Sequence, residues 1–168
     1  MRYSLRWLYL GLLSWACWGG LGCEEARDQT DLVRLYQTPL LMPALTEEPD
    51  PASALAQGLA AIQNQEFEKG QALLIQVEAS DPRYWQARYY LGACLLWQKE
   101  YNTASQVLEE AKTNLSGSWR EAAQWYLGLS LLAQDLPDVA CTWLDPDGYQ
   151  HWPEMKGRIR ELHRRVCR

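Results

Sequence analysis

The side chains of this chain that are able to do chemistry are few and scattered. His151 and His163 are the only histidines, and neither sits at a short metal-ligand spacing from other donors. Acid–base or nucleophilic catalysis needs groups within hydrogen-bond reach of one another. Two separate histidines among dispersed carboxylates give no such set. No glycine-rich phosphate loop, His-Glu-x-x-His or Cys-x-x-Cys occurs. Asp145-Pro146-Asp147-Gly148 opens like a calcium loop but lacks the further ligands and the closing glutamate, so it reads as a turn. The expectation is a protein without catalytic residues, cofactor or metal.

The five cysteines are more informative, and the N-terminus decides how they are read. Arg2 and Arg6 precede an apolar stretch over residues 7–18, and Gly20-Leu21-Gly22 ends it with a small-x-small pattern before Cys23. The apolar run is short for a membrane span, which needs about 20 residues. Residues 1–22 are therefore expected to be an export signal. The junction resembles a bacterial lipoprotein signal, in which a cysteine after small residues becomes the lipidated N-terminus. Cys23 takes that place, although the leucine usual three residues earlier is Gly20 here. The resemblance implies lipidation of Cys23, anchoring without spanning. It also makes the acceptor-like Asn114-Leu115-Ser116 an accidental match. Ordinary cleavage to a soluble exported protein is the alternative.

Export to an oxidising compartment permits a disulfide. Cys94 lies within an apolar helical stretch and reads as a core residue. Cys141 and Cys167 fall on the last two helices, which should pack together. They read either as a bridge or as two thiols.

Without residues 1–22 the chain carries 14 basic and 21 acidic residues, a net charge of −7. That acidity argues against a nucleic-acid partner, which calls for a dense Lys/Arg footprint. Nine tryptophans stand against one phenylalanine, and tryptophan often anchors interfaces.

Residues 23–50 form a tether and a proline-broken apolar segment. Within it, residues 32–45 are too apolar for a linker. Pro39 stops any helix near residue 37, which leaves a short helix followed by an extended stretch. Helical punctuation begins at Asp50-Pro51 and predicts hairpins over 51–64 and 67–80, 82–98 and 101–113, and 119–134 and 137–145. Pro153 opens a last helix to about residue 166.

Three triplets recur through these hairpins: Gly58/Gly70/Leu74, Gly92/Ala104/Leu108 and Gly128/Ala140/Leu144. Their first glycines are 34 and 36 residues apart, a period typical of stacked helical hairpins. Small residues let the two helices of a hairpin approach, and large ones fill the groove beside them. With Leu91-Gly92, Leu95, Tyr101, Ala104, Leu108 and Ala111, the second unit resembles a tetratricopeptide repeat most closely. The motif's early tryptophan is replaced by Ala54, Arg88 and Gln124. The expected fold is all-α: a short solenoid of three such hairpins over 51–152, with a basic capping helix over 153–168 whose polar face closes the stack.

In the family the first helix of each hairpin lines a concave face. The resemblance thus implies a partner groove formed by Leu55, Leu59, Ile62, Tyr89, Ala93, Leu96, Trp97, Trp125, Leu129 and Leu132. Helical spacing agrees with one shared face. The Lys and Asn positions with which relatives grip acidic C-termini are absent. The groove would therefore suit an apolar strand or an amphipathic helix, unless these residues are internal core or residues 32–45 cover them. In the last helix Lys156, Arg158, Arg160, Arg164, Arg165 and Arg168 form a basic run, read as a solvated face or a contact for anionic surfaces. The expectation is an interaction adaptor of the bacterial cell envelope, facing the periplasm and held to the inner or outer membrane by its lipid. A soluble periplasmic scaffold is the alternative.

Overall fold

A computed structural model describes residues 29–37, 43 and 48–167. The predicted signal, Cys23 and the tether as far as residue 28 lie outside the described residues. Among these, every regular element is helical. Helix α1 spans Gln29–Gln37 and ends two residues before Pro39, whose ring disfavours α geometry in the residue before it. Three hairpins follow: α2 (Ala54–Gln63) with α3 (Phe67–Leu74), α4 (Tyr84–Trp97) with α5 (Tyr101–Asn114), and α6 (Gly117–Ala133) with α7 (Pro137–Trp143). Two short 3₁₀ turns lead to α8 (Lys156–Val166). Within the hairpin array each helix packs most closely on a chain neighbour, whereas α1 packs on α6, and the first helices also touch across hairpins. The architecture is an all-α helical solenoid similar to stacked tetratricopeptide repeats.

The glycine spacing has a direct cause. A Cβ on Gly92 would meet Leu108 Cγ at 2.5 Å, and one on Gly128 would meet Leu144 Cδ2 at 2.6 Å. Gly58 and Leu74 repeat the arrangement at 3.0 Å. In every hairpin a leucine on the second helix, or capping it, thus fills the space left by the glycine of the first. The small residue between them closes the contact, and Ala104 and Ala140 are fully buried.

The turns inside the hairpins repeat as well. Gln65, Lys99 and Asp135 have φ of 62°, 66° and 60° and recur at the same 34- and 36-residue intervals. Each is the left-handed residue of a Schellman closure. In the second hairpin Lys99 N–H donates to Leu96 O (3.1 Å) and Glu100 N–H to Leu95 O (2.9 Å), and the other two turns bond alike. The glutamine before the turn ties neighbouring hairpins: Gln98 Nε2 donates to Gln71 Oε1 at 2.7 Å, and Gln134 Nε2 to Ser105 Oγ at 3.2 Å and Tyr101 O at 3.0 Å.

The first helices of the hairpins start two or three residues from the sequence expectation, while α3, α5 and α7 start at Phe67, Tyr101 and Pro137 as expected. Asp50 accepts the Ala52 N–H at 2.9 Å in a local turn, and Ser53 supplies the cap by accepting from Ala56 N–H. Asp81 does the same with Arg83 N–H at 2.7 Å. The aspartates organise the approach to the helices, because their side chains are satisfied before the first turn begins. Helix α3 stops at Leu74 instead of continuing to residue 80. Bonds from Gln76 N–H to Leu73 O and Val77 N–H to Leu74 O tighten the chain and bring Val77 onto the core. In the third hairpin α6 begins at Gly117, two residues before the expected start.

Helices α4 and α6 are buried almost all round. Nine of the ten residues from Ala87 to Leu96 are buried, which suits the middle of a stack. At the end of the stack α8 lays Ile159 and Leu162 on the core, together with Tyr149, Trp152 and Met155 of the preceding turns.

Candidate functional site

Helix α1 is seated on α6. Its Val33 and Tyr36, one turn apart, face inward and are 1% and 4% exposed, while Leu35 points outward at 60%. The Tyr36 ring meets Trp125 edge-on, with centroids 6.2 Å apart. Edge-to-face pairs of this kind contribute about 0.5–1.5 kcal/mol beyond area burial. A separate short helix of the chain therefore occupies the side of the third hairpin that carries Trp125.

The other side of Tyr36 is held by α8. The Arg158 Nη2 group donates to Tyr36 O at 3.2 Å, in the last turn of α1, where helix carbonyls lack partners and cations are favoured. The guanidinium carbons of Arg158 and Arg165 each stand 5.9 Å from the Tyr36 ring centroid. Burial, and then neighbouring Glu161, push the Tyr36 phenol above its usual range despite the two arginines. Glu161 also pairs with Arg165. Two residues of the basic run are therefore spent on an internal contact, while Arg160 and Arg164 remain exposed.

The Cys141 and Cys167 sulfurs are bonded, with Cα atoms 5.7 Å apart. The bond joins α7 to the residue immediately after α8. Cys94 is a free, buried thiol, and burial pushes its pKa up to about 12, which makes it a poor nucleophile at neutral pH.

Of the expected groove residues, Leu55, Leu59, Ile62, Tyr89, Ala93, Leu96, Trp125, Leu129 and Leu132 are all buried, and Trp97 is half-buried. Apart from Ala93, the buried ones belong to one apolar cluster that also includes Val33 and Tyr36, and Trp97 packs against it. Aromatic rings run across the hairpins within it: Phe67 stacks on Trp97 at 5.5 Å, and Trp97 meets Tyr126 at 5.7 Å. The Trp125 indole N–H and the Tyr90 hydroxyl are buried without a hydrogen-bond partner. Such an unmet donor costs about 1–3 kcal/mol.

One polar centre has no sequence signature. Glu121, 5% exposed, accepts from Gln150 N–H at 2.8 Å, His151 N–H at 2.9 Å and His151 Nδ1 at 2.8 Å. Burial alone would raise its pKa, but the backbone and ring bonds of His151 and the Gln150 N–H hold the carboxyl below the usual range. The arrangement pins the chain between α7 and α8 to α6, and three protein donors converge on the carboxylate. Asp145 accepts from Asp147 N–H at 3.0 Å and caps its 3₁₀ turn. His163 is half-buried on α8, away from that centre in sequence. Among the described residues no three His, Cys, Asp or Glu side chains are placed to hold a metal, and no helix is long and apolar enough to cross a membrane. An open polar cleft of about 560 Å³ lies between the second and third turns, beside Lys99, Tyr101, Gln134 and Leu136.

The sequence pattern of the tetratricopeptide repeat matches residues 55–119, which covers the first two hairpins and the start of α6. The third hairpin lies almost wholly outside that match, yet it repeats the glycine–leucine contact, the left-handed turn and the bridging glutamine. No curated protein and no solved structure matches the chain. A repeat of this kind is generally an adaptor for protein partners, not a catalyst.

Proposed function

We propose that the protein is an interaction adaptor of the bacterial cell envelope, exported through residues 1–22 and anchored by lipid on Cys23. In this reading the first-helix face of its hairpins receives an apolar strand or an amphipathic helix of a partner protein. The observation that carries it is α1 itself, an amphipathic helix seated against Trp125 through Val33 and Tyr36. A face that takes such a helix from its own chain has the shape and chemistry to take one from another.

Two measurements test the two halves of this reading. Cys23→Ser should move the protein from the membrane fraction to the soluble fraction; retention in the membrane would overturn lipid anchoring. A synthetic peptide with the sequence of residues 29–37 should compete for the Trp125 face of the full chain, and Trp125→Ala should weaken its binding about tenfold or more. Equal binding of a scrambled peptide would overturn the assignment of the face.

A further inference from the structure

We propose that α1 is a displaceable internal ligand and that the Cys141–Cys167 bond is the latch that keeps it seated. The inference rests on the reading of the Trp125 face as the partner-binding surface.

The seat is incomplete as a permanent contact. Helix α1 is only nine residues long and inserts Val33 and Tyr36, while Leu35 stays in solvent. Beneath it Trp125 Nε1 is buried with no acceptor. A partner helix or strand that offered a carbonyl there would satisfy a donor that α1 leaves unmet. An isolated helix this short is marginal in water, so α1 depends on what holds it from outside.

What holds it is α8, through Arg158 and Arg165. Helix α8 has two fully buried apolar side chains, Ile159 and Leu162. Both lie in its first two turns. Its last turn, which carries Arg165, has no fully buried side chain, only half-buried His163 and Val166 and the half-buried Cys167 that follows. Helix ends with so little packing fray readily. The covalent link from Cys167 to Cys141 on α7 prevents that and keeps the Arg165 guanidinium at the Tyr36 ring. Both cysteines are only partly buried, so an attacking thiolate has access.

The switching step is thiol–disulfide exchange with a dithiol reductant. The reductant supplies two electrons and two protons and leaves as its own disulfide, and Cys141 and Cys167 become thiols. The last turn of α8 then frays and the Arg165 contact with the Tyr36 ring is lost, while Arg158 stays on the packed first turn; α1, held by fewer contacts, leaves α6 more often and opens the Trp125 face. Reoxidation by a disulfide donor reverses each step.

Hydrogen exchange on the full chain, with and without dithiothreitol, tests the latch. Reduction should speed exchange of the α1 amides by about tenfold or more while α4 and α6 keep their protection. The Cys141→Ser/Cys167→Ser double variant should reproduce that pattern without reductant. Arg158→Ala/Arg165→Ala should do so with the disulfide intact. Unchanged α1 exchange on reduction would overturn the proposal. So would loss of protection in α1, α4 and α6 together, because the bond would then be a staple of the whole fold. Either failure would leave the peptide competition at Trp125 as a separate test of the binding face.

Discussion

Gly92 and Leu108 occupy one shared volume: the leucine side chain lies where a Cβ of residue 92 would be, 2.5 Å from Leu108 Cγ. Both residues sit in fully packed surroundings, since Leu108 is completely buried. Neither helix can yield without disturbing the neighbouring hairpins. The same contact between Gly128 and Leu144 makes it a rule of this stack. Gly70 is different, because its Cβ would meet Ile62 Cγ1 at 3.0 Å and its other neighbours at 3.4 Å or more.

Gly92→Ala and Gly128→Ala should therefore each destabilise the fold by about 1–3 kcal/mol, the usual cost of overpacking a tight core. Gly70→Ala should change stability by less than about 1 kcal/mol, because the helix-propensity gain offsets a small shift of Ile62. Urea unfolding of the three variants measures the ranking. Equal effects at all three glycines would contradict the packing account.

The left-handed turn residues give a prediction of opposite sign. Lys99 holds φ of 66° without being glycine, a conformation that costs an L-residue roughly 1–2 kcal/mol. Lys99→Gly removes that strain but adds unfolded-chain entropy. A net gain of about 0.5–1 kcal/mol is expected, read as a raised melting temperature. Gln65→Gly and Asp135→Gly should behave alike.

These two features differ in how far the sequence displays them. The glycine–leucine contact is legible because glycine is chemically distinctive and its partner always follows sixteen residues later. The turn recurs just as regularly, yet Gln65, Lys99 and Asp135 share no side-chain property, so only the backbone shows it. The expected groove residues follow from the resemblance to the repeat family, and the helical spacing that agrees with them loses its meaning in α4, where one face after another is buried. Pro39 announces where α1 ends, but nothing local says that Tyr36 will meet a tryptophan 89 residues away. The Glu121–His151 contact is hidden for the same reason, since its members lie 30 residues apart and carry no motif.

Glu121 predicts a specific acid response. Its folded pKa is depressed, so its contribution is fully present above the unfolded value of about 4.3 and is lost as pH falls through the folded value below that. Glu121→Gln should cost about 1–3 kcal/mol at neutral pH, the usual penalty of weakening charge-assisted bonds. The gap between wild type and variant should narrow as pH drops below about 4. Chemical denaturation across that range measures it. A pH-independent gap would mean that the carboxylate charge is not what holds residues 150 and 151.

The cover over the Trp125 face can be tested without any partner. If Val33 and Tyr36 shield apolar surface, removing residues 32–45 should expose it and increase binding of the dye ANS, which responds to accessible apolar patches. Val33→Ala/Tyr36→Ala should raise dye binding to a smaller extent. It should also lower stability by about 3–6 kcal/mol at most, given typical costs for truncating two buried side chains. The hairpins themselves should remain helical by circular dichroism, because their glycine–leucine contacts do not involve α1. Unchanged dye binding together with unchanged stability would mean that α1 covers nothing, and the face beneath it would have to be read as closed core.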